Sequence, residues 1–239
     1  MATERNKQHD RLNPRRTSRV YWHLRCLKEQ TTALLNSLDL SDKAVIDLGC
    51  GSMPYRPLVE DVVKAYIGVD LANNWSADIH LNEDFTVPLD DDCADIVLSN
   101  QVLEHVRDPT LYLSECRRLL RPEGRLLLST HGIWRFHGHP EDFWRWTSLG
   151  LPLTLERSGF QVLESRAIMG PAATGLQLFQ DAIAPRVPHI FKPIVFFFSQ
   201  LIIEAFDRIT PQRVVARDAS VYVVLASLPS TASDASSDR

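Results

Sequence analysis

The chain has few cysteines, and the four present (Cys26, Cys50, Cys93, Cys116) are scattered, with neither metal-ligand spacing nor a paired framework. That excludes a disulfide-stapled scaffold and a cysteine-rich zinc module. No apolar amino-terminal stretch resembles a secretory signal, so a reducing cytoplasm is the expected compartment. Strong charge is also lacking: a net charge of −4 gives no general pull toward nucleic acid or an anionic surface. There are no internal repeats. What remains is 239 residues, 44% hydrophobic and 23% charged, an ordinary globular composition. The length suits one large α/β domain with an insertion.

Two further absences narrow the chemistry. The apolar run Val45-Ile46-Asp47-Leu48 enters a turn, Gly49-Cys50-Gly51-Ser52-Met53-Pro54, in which proline stands where a dinucleotide fingerprint needs its third glycine. The Gly-Lys-Ser/Thr of a phosphate loop is missing, and no lysine lies near the turn to meet a pyrophosphate. A second apolar run, Ile67-Gly68-Val69, ends in Asp70, an acid able to accept hydrogen bonds from both hydroxyls of a ribose. The pair points to a ligand with a ribose and no phosphates, held at the carboxyl edge of a parallel sheet.

These stretches, with Asp95-Ile96-Val97-Leu98-Ser99-Asn100, Val102-Leu103-Glu104-His105-Val106 and Leu120-Arg121-Pro122-Glu123-Gly124-Arg125, resemble the class I S-adenosylmethionine-dependent methyltransferases over roughly 44–167. A finer resemblance, carried by Pro54-Tyr55-Arg56 and by 139–147, is to a bacterial subgroup found with sugar and secondary-metabolite genes. The resemblance implies a Rossmann-like α/β fold. Its seven strands are ordered 3-2-1-4-5-7-6 with the seventh antiparallel, and helices cover both faces. S-adenosylmethionine is the implied cofactor, and no metal is implied. The implied cofactor residues are Asp47, Gly49, Cys50, Gly51, Asp70, Leu71, Asn100 and Gln101. Asp84 is chosen for adenine over Glu83 and Asp78.

Apolar periodicity predicts a helix over 21–38, then strands at 44–48, 66–70, 77–80 and 94–99. A helix capped by Asp108, with Pro109 in its first turn, should stop at 122–124, before a strand at 125–129. Thr147 should cap a helix ending at Gly159, delayed or kinked by Pro152, and strands at 160–166 and 220–226 complete the sheet.

The stretch 1–19 carries Arg5, Lys7, Arg11, Arg15, Arg16 and Arg19 against Glu4 and Asp10, and reads as a flexible basic arm. The methyltransferase domain should span 20–227, and 228–239 reads as a disordered tail. Within the domain, 169–219 forms an apolar helical insertion between strands six and seven. Its run 193–209 looks too short and interrupted to span a bilayer, which takes about 20 apolar residues. A lid, a homodimer face or a shallow seat on a membrane surface are the alternatives to packing against the protein's own body.

Methyl transfer from a sulfonium needs alignment, water exclusion and removal of a proton from the acceptor. Acceptor-side candidates follow strand five: His131, His137, His139 and Asp142 for proton removal, with Trp144, Arg145 and Trp146 beside them. A polar loop with core-packed tryptophans and an ion-paired Arg145 is the bland alternative. His105 reads as shaping the cofactor pocket. His131, His137, His139 and Asp142 also offer zinc or iron ligand types, but at no common spacing, so a metal-free base is expected. The expected activity is methyl transfer to a hydroxyl oxygen of a small-molecule, sugar or lipid-linked acceptor. Nucleic acid is not expected: the Asn/Asp-Pro-Pro-Tyr/Phe loop of base methylases and a basic stripe are both lacking. The rival reading is a non-catalytic, partner-binding subunit.

Overall fold

A computed structural model describes residues 11–138 and 141–229. Seven strands form one sheet in the order β3-β2-β1-β4-β5-β7-β6. They are β1 (Ala44–Leu48), β2 (Ala65–Asp70), β3 (Ile79–His80), β4 (Ala94–Asn100), β5 (Leu120–His131), β6 (Gln161–Ile168) and β7 (Val221–Ser227). β7 is antiparallel to both neighbours and the other pairings are parallel.

Alternation along the strands divides the core into two layers. Val45, Ile96, Leu98, Leu127, Val223 and Leu225 face one layer, and α1 (Tyr21–Leu35) packs there through Leu27, Leu34 and Leu35. Ile46, Val97, Leu126, Leu128 and Val224 face the other, against α2 (Pro109–Leu119) and α3 (Gly150–Arg157). Asp108 caps α2 by accepting from the amides of Thr110 and Leu111. The hydroxyl of Thr147 accepts from Gly150 N–H, Pro152 lies in the first turn of the late-starting α3, and Gly159 follows it at φ +84°. Strand β5 begins earlier than expected, at Leu120. An irregularity separates the pairs Ala94–Leu120 and Ile96–Arg125, and it absorbs Pro122 and Gly124 without ending the ladder.

The insertion folds as α4 (Pro171–Ile183), α5 (Lys192–Ile209) and α6 (Gln212–Arg217). With the turn before it, α5 makes a stretch His189–Ile209, long and apolar enough by length and composition to cross a membrane, which corrects the expectation that this run is too short. Packing against the protein's own body is realised in reverse. The polar face turns inward: Gln200 is buried, accepts from Trp22 N–H at 2.8 Å and donates to the Arg19 carbonyl at 2.8 Å. Asp207 accepts from the Trp22 indole at 2.7 Å and from Gly170 N–H at 2.9 Å. Phe191, Ile194, Phe198, Ile202, Phe206 and Ile209 are left exposed.

Gln177 and Gln180 of α4 also donate to the Arg19 carbonyl, and Arg16 pairs with Glu204 at 3.2 Å. Residues 11–19, expected within a flexible arm, are therefore docked. The rest of that arm, 1–10, and 230–239 of the expected tail lie outside the described residues.

Candidate active site

The parallel strands bring Asp47, Asp70, Asn100 and His131 to one carboxyl edge. The turn after β1 crosses to β2, with Gly49 and Cys50 N–H both donating to the Val69 carbonyl. Gly49 sits at φ +77°, and a Cβ there would lie 2.5 Å from the Val102 side chain. Gly51 sits at φ +54°, and a Cβ there would meet nothing within 4 Å. Its amide donates to Asp70 Oδ2 at 2.8 Å, so the acid and the open turn are locked together. Asn74 donates to the same oxygen at 2.7 Å, and Leu71 N–H donates to Oδ1 at 2.7 Å.

Asp47 is buried and accepts from the Tyr66 hydroxyl at 2.6 Å. Burial pushes its carboxyl up to about 7, against the lowering effect of that hydroxyl. Asn100, 7% exposed, accepts from Ser129 through Oδ1 at 3.1 Å, while its Nδ2 has no partner. Gln101, at φ +58°, is tied to Ser129 through its backbone and side chain. An S-adenosylmethionine cofactor fits this edge. The open backbone at Gly51 and the carboxylate of Asp70 lie on one side, and a buried acid and an orphaned amide donor lie on the other.

Beyond Asn100, two loops interlock. The Glu104 carbonyl accepts from Phe143 N–H at 2.8 Å and Trp144 N–H at 3.2 Å, and His105 Nδ1 meets the Glu141 carbonyl. Beneath them Glu104 is 0% exposed, and its Oε2 accepts from Thr130 at 2.7 Å. Its Oε1 has no hydrogen-bond partner and faces His131 Nε2 at 3.7 Å and His105 Nε2 at 3.9 Å. His131, 3% exposed, stacks on Trp134 at 5.2 Å and meets His137 edge-on at 4.9 Å. His23 of α1 stacks on Trp134 at 4.3 Å, closing the cluster from above.

Burial lowers both His131 and His137, leaving neutral imidazoles. Asp142 behaves oppositely: burial would raise it, but bidentate bonds from Arg145 and the His137 amide hold it at about 2. That carboxylate lies 3.3 Å from His137 Nδ1.

Of the expected site residues, Asp47, Gly49, Cys50, Gly51, Asp70 and Leu71 meet around the first turn, with Asn100 and Gln101 at the end of the neighbouring β4. His131, His137 and Asp142 gather beyond them. Asp84 lies in the 82–86 turn, where its carboxylate accepts from Thr86 N–H at 3.0 Å and Thr86 Oγ1 at 2.6 Å. Asp78, the alternative, accepts from Gly68 N–H at 2.8 Å and pairs with Arg56. His139 lies outside the described residues. Arg145 is ion-paired, and the Trp144 indole donates to the Val106 carbonyl at 2.8 Å. Sequence reasoning passed over Glu104, His23, Trp134 and Asn74. Glu104 stands in the quoted Leu-Glu-His-Val run and was accessible there, whereas His23 lies in a helix with no local signal of its role.

The family profile described as a methyltransferase domain matches residues 46–128. Over that stretch the chain is similar to methyltransferase domains. A probable S-adenosylmethionine-dependent methyltransferase of Mycolicibacterium smegmatis is 36% identical over 95 residues, covering 36% of this chain and 37% of that protein. A ubiquinone biosynthesis O-methyltransferase of Cereibacter sphaeroides is 35% identical over 99 residues, covering 36% and 40%. The chain therefore matches well under half the length of these relatives. In three dimensions, an S-adenosylmethionine-dependent methyltransferase from Mesorhizobium loti has the same fold, with a TM-score of 0.55 at 17% identity over 83% of this chain and 96% of that one. The sheet order of this methyltransferase domain is the one its sequence resemblance implies.

Proposed function

We propose that this protein transfers the methyl group of S-adenosylmethionine to a hydroxyl oxygen of a small-molecule, sugar or lipid-linked acceptor. The observation that carries the reading is the placement of the buried Glu104–His131–His137 cluster immediately beyond Asn100, on the edge that also presents Asp47, Gly51 and Asp70. The bound cofactor would supply a methyl on a positively charged sulfur, already a good leaving group. Asp70 would take the ribose hydroxyls. Its ionised carboxylate has about four acceptor positions, of which Gly51, Asn74 and Leu71 use three, so Asn74 must yield one. Asp47 would face the positive end of the cofactor, and Asn100 Nδ2 would gain the partner it lacks. Interlocked loops exclude water around the imidazoles, whose neutral lone pairs would take up the acceptor's proton. His137, half-buried and backed by Asp142, is the member nearest solvent. The ubiquinone O-methyltransferase relatives support oxygen as the accepting atom.

The test is calorimetric titration with S-adenosylmethionine and its demethylated product, followed by labelled-methyl transfer to hydroxylated glycans, phenolics and lipids. Saturable binding, lost in Asp70→Ala, supports the reading. A folded protein that binds neither ligand would instead favour the partner-binding subunit.

The exposed face of α5 supports a lipid-linked acceptor met at the cytoplasmic membrane surface. The acids of this region are turned inward or paired, Glu204 with Arg16 and Arg208 and Asp181 with Arg19 and Arg135, whereas Arg186 and Arg213, before and after α5 in the chain, are exposed. An amphipathic ridge flanked by cations suits an anionic interface. Sedimentation with anionic vesicles should carry the protein down, and Phe198→Glu with Ile202→Glu should abolish this. Unbound protein whose dimer those same changes split would show the face to be a homodimer contact.

A further inference from the structure

We infer that Glu104, His131 and His137 form a binding site for a divalent transition-metal ion of the zinc or ferrous class. One donor atom from each lies within 4.8 Å of the others. The argument begins with protons. His131 Nδ1 faces the Ser220 carbonyl at 3.4 Å and His105 Nδ1 faces the Glu141 carbonyl. A carbonyl only accepts, so both Nδ1 atoms carry hydrogen, and both Nε2 atoms present bare lone pairs. Those lone pairs point at Glu104 Oε1, itself an acceptor when ionised, across 3.7 and 3.9 Å. The lone pairs of His131 and His105 thus face a buried carboxylate oxygen that has no hydrogen-bond partner, an arrangement that a bound cation would satisfy.

Hydrogen bonding does not resolve the arrangement. Both separations exceed hydrogen-bond length, and Glu104 Oε1 has no such partner. The neighbouring cation is committed elsewhere. Arg145 is held by Asp142 and by the carbonyls of Trp134, Arg135 and Trp144. A metal between carboxylate and imidazole, with bonds of about 2.0–2.2 Å, spans up to roughly 4.1 Å between donors. The observed separations match that span, and the widest closes to it by under about 1 Å.

Supporting contacts of a metal site are also present. The Ser220 carbonyl fixes the tautomer of His131, Asp142 stands behind His137 Nδ1 at 3.3 Å, and Thr130 holds Glu104 Oε2. Two imidazoles and one carboxylate are the donor set of zinc hydrolases and of non-haem ferrous sites. Chain spacing conceals the set, because its members come from the loop after β4, the end of β5 and the loop beyond it. The site stands on its own geometry, and because a metal would occupy the lone pairs that the methyl-transfer reading gives to the acceptor's proton, His131 and His137 would act as base only in the metal-free protein.

Metal-stripped, untagged full-length protein titrated with Zn2+ should bind one equivalent, and Co2+ should give a visible absorption band from the same site. His137→Gln, at a half-buried position, and Glu104→Gln should each weaken Zn2+ binding by about 100-fold, the upper end of what loss of even a supporting partner costs. Circular dichroism reports whether each variant folds, and His137→Gln alone suffices if Glu104→Gln does not. No Zn2+ or Co2+ uptake by the folded protein would overturn the inference, as would uptake undiminished in the folded variants. S-adenosylmethionine titration of the metal-free protein reports separately on the cofactor reading.

Discussion

At the scale of single residues, Asp47 ties proton binding to ligand binding. Its carboxyl rises from the usual 3.8 to about 7, chiefly because it is buried, with Asp70 adding to the rise and Tyr66 and Arg11 opposing it. The folded protein thus holds this proton more tightly than the unfolded chain does. Between pH 3.8 and about 7 the group's contribution to stability falls as pH rises, and it levels off above the folded value. A cationic ligand reverses the preference, since it favours the ionised acid. S-adenosylmethionine affinity is therefore expected to tighten from about pH 6 to about pH 7.5, with proton release visible as a dependence on buffer ionisation enthalpy. In Asp47→Asn the pH slope should vanish and binding should weaken about 10- to 100-fold, the worth of one charge-assisted contact; a retained slope would remove Asp47 from the role. The two turn glycines make a second comparison. Gly49→Ala drives a Cβ into Val102 and should disrupt the turn itself. Gly51→Ala meets no atom of the chain and should cost only about 1–2 kcal/mol of left-handed strain, yet should lose cofactor affinity because its methyl fills the ligand's space. Paired chemical denaturation and calorimetry separate these outcomes.

At the scale of elements, α5 shows where sequence pattern stops being informative. Its periodicity marks Gln200, Glu204, Asp207 and Arg208 as one face, and the structure keeps that face together. Pattern alone does not say which way it turns. The orientation is decided by groups far away in the chain, the Arg19 carbonyl and the Trp22 amide and indole, which need partners and find them in Gln200 and Asp207. The strands were legible as short runs rich in apolar and β-branched residues, and Asp108, Thr147 and Gly159 were legible because caps act locally. The early start of strand β5 was not, because ladder bonds to β4 carry the chain past Pro122. An unequal pair of effects follows for α5. Gln200→Leu leaves the Trp22 amide without its partner, while the Arg19 carbonyl keeps Gln177 and Gln180, and should destabilise by about 1–3 kcal/mol. Ile202→Glu on the exposed face should change stability by less than about 0.5 kcal/mol. Urea denaturation checks both, and equal costs would mean that the polar face does not hold the helix.

At the scale of the whole molecule, the sheet gathers ligands from distant parts of the chain onto one edge. The half of that edge around Asp47 and Asp70 could be read in sequence because Asp47, Gly49 and Gly51 lie in one short run and Asp70 ends the next strand. In the other half His131 and His137 were singled out in sequence, but their meeting with Glu104 was not, because it arises only once two loops interlock. Asp47, Asp70 and Asn100 belong to three different strands of one sheet, so a ligand touching all three should oppose global unfolding and not merely order a loop. A ligand at 100 times its dissociation constant adds about 2.7 kcal/mol to a protein that binds it only when folded. At this chain length, 1 kcal/mol moves the melting midpoint by about 2–4 °C, so saturating S-adenosylmethionine should raise it by roughly 5–11 °C. Asp70→Ala, which removes the proposed ribose acceptor, should lose most of that shift at the same ligand concentration while its own unliganded midpoint stays measurable. Differential scanning calorimetry over a range of ligand concentrations checks the logarithmic dependence. A shift confined to a minor, separate transition would mean that the ligand orders only the turn and does not bridge the strands.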